Sequence, residues 1–97
     1  MKSLSKEELD QMIQSNQEFM LIDVRESYEF EEQNLGGTNI PLDEVLRRKD
    51  EIPSEIKVVM CCKSGKRSAA MVHTLKRKFG FNNLSSLEGG LSGYFGE

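Results

Sequence analysis

The chain has 97 residues, of which 37% are apolar and 30% are charged, and its net charge is −3 at pH 7. This length fits one domain over residues 1–97 and excludes a multidomain enzyme, and apolar clusters spread along the chain exclude a disordered tail. An acidic balance disfavours nucleic-acid binding, and no apolar run is long enough to cross a bilayer. The first residues lack the apolar segment of a secretory signal, so we expect a cytoplasmic protein that binds neither nucleic acid nor membranes.

The first third of the chain predicts a helix, a strand and a second, short helix. Ser5 and Glu8 have the spacing of a capping box, and the helix that follows places its apolar residues on one face (Leu9, Met12 and Ile13). The apolar run over residues 19–22, closed by Asp23, is typical of a strand buried on both faces. Ser27 is predicted to cap a helix from Tyr28 to Gln33.

The rest of the chain continues this alternation. A brief strand at residues 38–40 precedes one or two helical turns that bury Leu42, Val45 and Leu46, and a second buried strand covers residues 57–61. A longer helix from about Arg67 to Phe79 has an apolar stripe (Ala69, Val72, Leu75 and Phe79), and Gly80 ends it. A last strand at residues 84–87 precedes one closing helical turn. The alternation predicts an α/β fold with a parallel sheet, in which ligands bind beyond the carboxyl ends of the strands.

Two neighbouring cysteines, Cys61 and Cys62, end the second buried strand. Adjacent cysteines bridge only through a strained ring, so a structural disulfide is not expected. A zinc site is equally disfavoured because His73 is the only histidine. Strand alternation directs Cys61 into the sheet packing, opposite to Met60, which favours a structural role for this thiol. Two buried structural thiols are the simplest alternative to a reactive cysteine.

The segment after the cysteines has the composition of an anion-binding loop. Its successive backbone N–H groups can turn inward, and the helix that follows adds unpaired N–H groups and the positive end of its dipole. These features stabilise a thiolate relative to a thiol. The candidate residues of this loop for binding an anionic substrate are Lys63, Ser64, Gly65, Lys66 and Arg67.

The spacing to Arg67 separates two reaction classes. Four residues lie between Cys62 and Arg67, whereas five lie between Cys61 and Arg67, which is the C-x5-R spacing of cysteine phosphatases. A tetrahedral phosphoryl group needs the wider loop, and a smaller persulfide sulfur fits the tighter one. A phosphatase or arsenate-type enzyme using Cys61 is therefore one alternative, and a non-catalytic interaction module on the same fold is another.

Four segments in order resemble the rhodanese-like family in its single-domain sulfurtransferase form. They span most of the chain: residues 21–30, 37–42, 58–68 and 87–91. The resemblance implies a five-stranded, mainly parallel sheet with helices on both faces. Three features depart from the family pattern. Cys61 is an extra thiol next to Cys62, and resolving or sharing the persulfide is the alternative to its structural role. In addition, Asn34 stands where histidine is common, and no tryptophan follows Gly90. We expect Tyr94 to fill part of that volume.

The same resemblance implies the chemistry. Cys62 would carry a sulfane sulfur as a persulfide, within the loop from Lys63 to Arg67. The donor would be a small anion such as thiosulfate or a persulfide-carrying protein, and the acceptor would be cyanide, a thiol or a sulfur-carrier protein. No metal or organic cofactor is expected.

Several other polar residues are given structural interpretations. Asp23 and Arg25 end a central strand and are expected to brace the backbone through an ion pair rather than to bind substrate. His73 is expected to be a solvated surface residue. The basic clusters at residues 47–49 and 76–78 are expected to be solvated helix ends, with docking of an acidic partner as the alternative.

Overall fold

The computed structural model describes residues 3–96, and its strands and helices alternate as the sequence predicts. The strands are β1 (Ser3–Leu4), β2 (Phe19–Asp23), β3 (Thr38–Asn39), β4 (Lys57–Cys61) and β5 (Leu84–Leu87). The helices are α1 (Lys6–Gln14), α2 (Ser27–Glu32), α3 (Leu42–Val45), α4 (Lys66–Phe79) and α5 (Gly90–Phe95), with one 3-10 turn at Lys49–Glu51.

The five strands form one sheet in the order β1-β5-β4-β2-β3, and every pairing is parallel. This confirms the predicted fold class. β4 lies at the centre, between β5 and β2, and its last residue, Cys61, is in register with Asp23 at the end of β2. The cysteine pair therefore lies at the carboxyl edge of the sheet, where parallel α/β sheets bind ligands.

Alternate residues of β4 face two different cores, one on each side of the sheet. Val58 and Met60, together with Cys62, pack into the core that contains residues of α3 and α4. Val59 and Cys61 pack into the opposite core, with residues of α1 and α5. The sheet is thus covered by helices on both faces, and Cys61 points away from Met60 as predicted. Among residues 3–96, no helix is both long and apolar enough to cross a membrane.

Most of the errors in the sequence-based prediction concern element ends and helix faces. β1 was not predicted, because two residues are too few to show an alternating pattern. Glu26, not Ser27, is the N-cap of α2, and its backbone N–H donates to the side chain of Glu29 at 3.1 Å. Ile13, Leu46 and Phe79 are 50%, 41% and 45% exposed instead of lying in the core.

The helix α4 has a different buried face from the one predicted. Val72 and Leu75 are buried, but Ser68 also belongs to the buried face, and Phe79 lies outside it. The Lys49 ammonium lies 5.0 Å from the centre of the Phe79 ring, and a cation over an aromatic face is a favourable arrangement at a surface. Gly80 ends the helix in the left-handed conformation, as predicted.

Candidate active site

The segment between β4 and α4 is held in place by the first turn of α5. The carbonyl oxygens of Cys62 and Lys63 accept hydrogen bonds from the backbone N–H groups of Leu91 and Ser92, each at 2.9 Å. These bonds satisfy donors that are otherwise unpaired at the start of a helix. They also fix both carbonyl groups toward α5.

The Cys62 sulfur accepts hydrogen bonds from the loop that follows it. The N–H of Gly65 lies 3.1 Å from Sγ, and the N–H of Ser68 lies 3.4 Å from it. The backbone N–H groups of Ser64 and Arg67 donate to no acceptor within residues 3–96. Inward-facing amides of this kind form an anion-binding concavity. Two amides of the loop therefore point inward at the sulfur, as its composition predicts.

Two glycines allow this close packing. Gly65, which precedes α4, has a φ of +94°, and a Cβ there would lie 3.1 Å from the carbonyl oxygen of Leu87. Gly90 has a φ of +63°, and a Cβ there would lie 2.3 Å from the carbonyl oxygen of Lys63 and 2.7 Å from that of Cys62. A side chain at position 90 would occupy the space of the loop backbone itself.

Cys62 is only 3% exposed and lines a cleft of about 290 Å³. The other lining residues come from β2, α2, the loop and α5: Val24, Arg25, Glu29, Lys63, Ser64, Arg67 and Ser92. A second cleft of about 290 Å³ shares Arg25, Glu29, Lys63 and Ser92 with the first. The sulfur thus adjoins a space large enough for a small anion, with the cationic Lys63 and Arg67 on one wall and a single carboxylate, Glu29, among its lining residues.

The structure places the predicted loop residues differently with respect to this cleft. Lys63, Ser64 and Arg67 line it, and Gly65 contributes a backbone donor. Lys66 does not line it, and its N–H donates to the hydroxyl of Ser64 at 3.4 Å.

Sequence reasoning missed three groups near the sulfur. Ser68 contacts the sulfur through its N–H, and Glu29 and Ser92 line the cleft. The position of Ser68 in the first turn of the helix was a signal for its role, whereas the other two residues reach the cleft only through the tertiary fold.

Asp23 and Arg25 form the expected structural ion pair. Arg25 Nη2 lies 2.9 Å from the Asp23 carboxylate, and Nε lies 3.1 Å from it. Nη2 also donates to the carbonyl oxygen of Gln33 at 2.6 Å. Hydrogen bonding to Asp23 raises the pKa of Arg25, although burial opposes this. Arg25 therefore braces the end of β2 and also forms part of the cleft wall.

Cys61 does not line the cleft. It is 1% exposed and packs against the core on the α1 and α5 side. Burial raises the pKa of the Cys61 thiol well above its usual range, and the neighbouring Asp23 carboxylate raises it further, against the opposing charge of Arg25. A neutral thiol facing the opposite core is a poor nucleophile for the cleft.

The remaining polar residues have structural or surface positions. Asn34 closes a turn by accepting from the N–H of Gly36 at 2.7 Å. Tyr94 packs against the core that contains Cys61, and His73 is exposed. The cluster at 47–49 is not simply solvated, because Arg48 pairs with Glu44 and Glu51 at 3.0 and 2.9 Å. Within residues 3–96, no three His, Cys, Asp or Glu side chains gather as metal ligands do.

Residues 5–97 match the sequence profile of the rhodanese-like domain. The chain belongs to the rhodanese-like domain family. Two proteins of Bacillus subtilis (strain 168) are similar to it over nearly its whole length. The uncharacterized protein YqhL is 39% identical over 98 residues, which cover 100% of this chain and 75% of YqhL. The candidate sulfur carrier protein YrkF is 30% identical over 95 residues, which cover 97% of this chain and 51% of YrkF.

Solved structures of rhodanese-related proteins have the same fold. A rhodanese-related protein from Thermoplasma volcanium superposes with a TM-score of 0.86 at 27% identity, covering 99% of this chain and 92% of that protein. An NAD-dependent persulfide reductase from A. fulgidus superposes with a TM-score of 0.74 at 29% identity, covering 95% of this chain and 15% of the reductase. The rhodanese-like chain thus corresponds to a small part of that larger protein.

Proposed function

We propose that this rhodanese-like domain is a sulfurtransferase in which Cys62 carries a sulfane sulfur as a persulfide. The observation that carries the proposal is the set of backbone N–H groups around Sγ. Gly65 and Ser68 donate to the sulfur, and Ser64 and Arg67 have amides without an acceptor in the described chain. A persulfide places a second, negatively charged sulfur beyond Sγ, where these free donors would stabilise it.

In the first half-reaction, the Cys62 thiolate attacks the outer sulfur of thiosulfate. A new S–S bond forms at Cys62, the S–S bond of thiosulfate breaks, and sulfite leaves with the electron pair of that bond. Lys63 and Arg67 line the cleft and would hold the anionic donor before attack. A protein persulfide would react in the same way and release a protein thiolate.

In the second half-reaction, an acceptor nucleophile attacks the outer sulfur of the Cys62 persulfide. Cyanide would leave as thiocyanate, and a thiolate would leave as a new persulfide. In both cases the bond between the two sulfurs breaks, and Cys62 returns to its thiolate. The donors at Sγ stabilise this leaving thiolate, so the same loop serves both steps.

Relatives with sulfur-related names support the proposed substrate class. YrkF is named as a candidate sulfur carrier, and the A. fulgidus reductase is named for a persulfide. We therefore propose a persulfide-carrying protein or a small anionic sulfur compound as donor, and a thiol or sulfur-carrier protein as acceptor. The chemistry requires Cys62 in its reduced form, which suits the reducing cytoplasm.

Neither alternative is favoured by the site. A phosphatase using Cys61 would need that thiol in the cleft, but Cys61 is buried in the opposite core. An interaction module would have no need for backbone donors directed at a cysteine sulfur. Sulfur transfer through Cys62 accounts for both observations.

Thiocyanate formation from thiosulfate and cyanide tests the proposal. The wild-type protein should turn over, Cys62→Ser should be inactive, and Cys61→Ser, the matched variant one residue away, should keep most of the activity. Arg67→Ala should raise KM for thiosulfate about tenfold, because a charge-assisted contact with the anion is lost.

Two further assays decide between this proposal and its alternatives. Hydrolysis of an aryl phosphate that depends on Cys61 but not on Cys62 would establish the phosphatase. If no sulfur is transferred from thiosulfate or from a low-molecular-weight persulfide to either cyanide or a thiol, the non-catalytic interaction module is the remaining alternative.

A further inference from the structure

A pair of buried serine hydroxyl groups lies directly behind the Cys62 sulfur. Ser68 Oγ is 3.5 Å from Sγ and 2.7 Å from Ser86 Oγ. Ser68 is 0% exposed and Ser86 is 2% exposed. Ser86 belongs to β5 and is in register with Met60, so its side chain shares the α4 face of the sheet with Cys62. Ser86 makes no hydrogen bond to the sulfur, and its shortest link to Cys62 runs through the Ser68 hydroxyl.

The two hydroxyl protons have more acceptors than they can satisfy at once. Ser68 Oγ lies 3.2 Å from the carbonyl oxygen of Gly65, and Ser86 Oγ lies 3.4 Å from the same atom. When Cys62 is a thiol, its S–H donates to Ser68 Oγ, and the Ser68 hydroxyl donates to the carbonyl oxygen of Gly65. A thiolate has no proton to donate and needs donors instead, so the hydroxyl protons must be redistributed when Cys62 ionises.

The redistribution leaves no buried group without a partner. Ser68 turns its proton to Sγ, and Ser86 donates to Ser68 Oγ across the 2.7 Å contact. The carbonyl oxygen of Gly65 still accepts from the N–H of Ala69 at 3.0 Å. A hydroxyl that accepts one hydrogen bond is a stronger donor in the next, because each bond polarises its neighbour.

We propose that Ser86 is a positioning residue that sets the donor direction of the Ser68 hydroxyl and so stabilises the ionised form of Cys62. Without Ser86, the Ser68 hydroxyl can keep donating to the carbonyl oxygen of Gly65 when Cys62 ionises. With Ser86, the two hydroxyls form one chain of donors that ends at the sulfur. This inference rests on Cys62 being the reactive thiol of the proposed function, but its test requires no sulfur transfer.

The test measures the ionisation and reactivity of Cys62 in a Cys61→Ala background, where it is the only thiol. The ratio of thiolate to thiol at one fixed pH is read from ultraviolet absorbance, with Cys62→Ser as the blank. The alkylation rate with iodoacetamide at the same pH is the second readout. Ser85→Ala is the matched control, because Ser85 is the preceding residue of β5, is also buried, and is in register with Val59 of the opposite core.

We expect Ser68→Ala to lower both readouts about tenfold, since a hydrogen bond to a charged sulfur is lost, and Ser86→Ala to lower them about three- to fivefold. Ser85→Ala should stay within about twofold of the Cys61→Ala protein, as expected for a residue in register with Val59 of the opposite core. The double variant Ser68→Ala/Ser86→Ala should be no worse than Ser68→Ala alone, because the proposed effect of Ser86 on the sulfur passes through the Ser68 hydroxyl.

A second pair of variants separates the hydroxyl from packing. Ser86→Thr keeps the hydroxyl and Ser86→Val replaces it with a methyl group of the same shape, so any effect on folding is common to both. The proposal requires the thiolate ratio of Ser86→Thr to exceed that of Ser86→Val about threefold. Equal ratios in this pair, or effects of Ser68→Ala and Ser86→Ala that multiply in the double variant, would overturn it. If the serine variants change the thiolate ratio as expected but the protein transfers no sulfur, the proposed function alone is refuted.

Discussion

Replacing Gly90 with alanine tests whether the position of the loop between β4 and α4 depends on the first turn of α5. The new Cβ would lie 2.3 Å from the Lys63 carbonyl oxygen and 2.6 Å from its carbon, which are backbone atoms that cannot rotate away. The neighbouring Gly89 provides the control. Its φ of +77° is similarly strained for alanine, but a Cβ there would meet only the Cα of Gly93, at 3.9 Å.

The difference between the two variants can be estimated from these distances. Both lose about 1–2 kcal/mol, because alanine in a left-handed conformation is strained. Gly90→Ala adds the overpacking against the loop, about 1–3 kcal/mol, for a total of roughly 2–5 kcal/mol. In a domain of this size each kcal/mol lowers Tm by about 4–8 °C.

The assay combines urea unfolding with the rate of persulfide formation at Cys62. Gly90→Ala should lose more stability than Gly89→Ala and at least about tenfold in rate, because a shift near 1 Å in reacting groups is enough for a loss of that size. Gly89→Ala should stay within about twofold of the wild-type rate. Equal losses of stability, together with a full rate in Gly90→Ala, would refute the claim that α5 holds the loop.

Three further predictions follow from charge and burial. Glu29→Gln should raise kcat/KM for thiosulfate about two- to fivefold, because it removes the carboxylate from the cleft proposed to hold the anionic donor; no change would contradict this. Above about pH 9, Cys61 ionises in the unfolded chain, whereas the buried thiol of the folded protein keeps its proton. The unfolding free energy of the wild type should therefore fall relative to that of Cys61→Ala by about 1.4 kcal/mol per pH unit. Parallel curves of unfolding free energy against pH would disprove it. Arg25→Ala should lower the unfolding free energy by about 3–5 kcal/mol, because it leaves the buried Asp23 carboxylate unpaired. The control Arg47→Ala, at an exposed ion pair, should lower it by less than about 0.5 kcal/mol in urea unfolding. A small loss in Arg25→Ala would contradict the bracing role.

The sequence predicts the sheet well because each central strand is a short apolar run closed by a polar or cysteine residue. Residues 19–23 and 57–61 are strands with the predicted bounds, and their buried neighbours follow from alternation. Strand β1 was missed because its two residues pair with β5, which lies more than 80 positions along the chain. Pairing at such a distance leaves no local pattern.

The candidate site is only half visible in the sequence. The loop from Cys62 to Arg67 is contiguous, so its composition alone indicates an anion-binding turn. Glu29 and Ser92 reach the cleft from α2 and α5, and Ser86 lies behind the sulfur on another strand. Only the order of strands in the sheet brings these residues to one edge, and no spacing along the chain encodes that order.

Mass spectrometry of the intact protein after incubation with thiosulfate would show whether Cys62 carries a sulfane sulfur. We expect a gain of one sulfur atom, located on Cys62 by fragmentation, removed by cyanide, and present in Cys61→Ser but absent in Cys62→Ser. A gained sulfur on Cys61, or no gain with either thiosulfate or a low-molecular-weight persulfide, would contradict it.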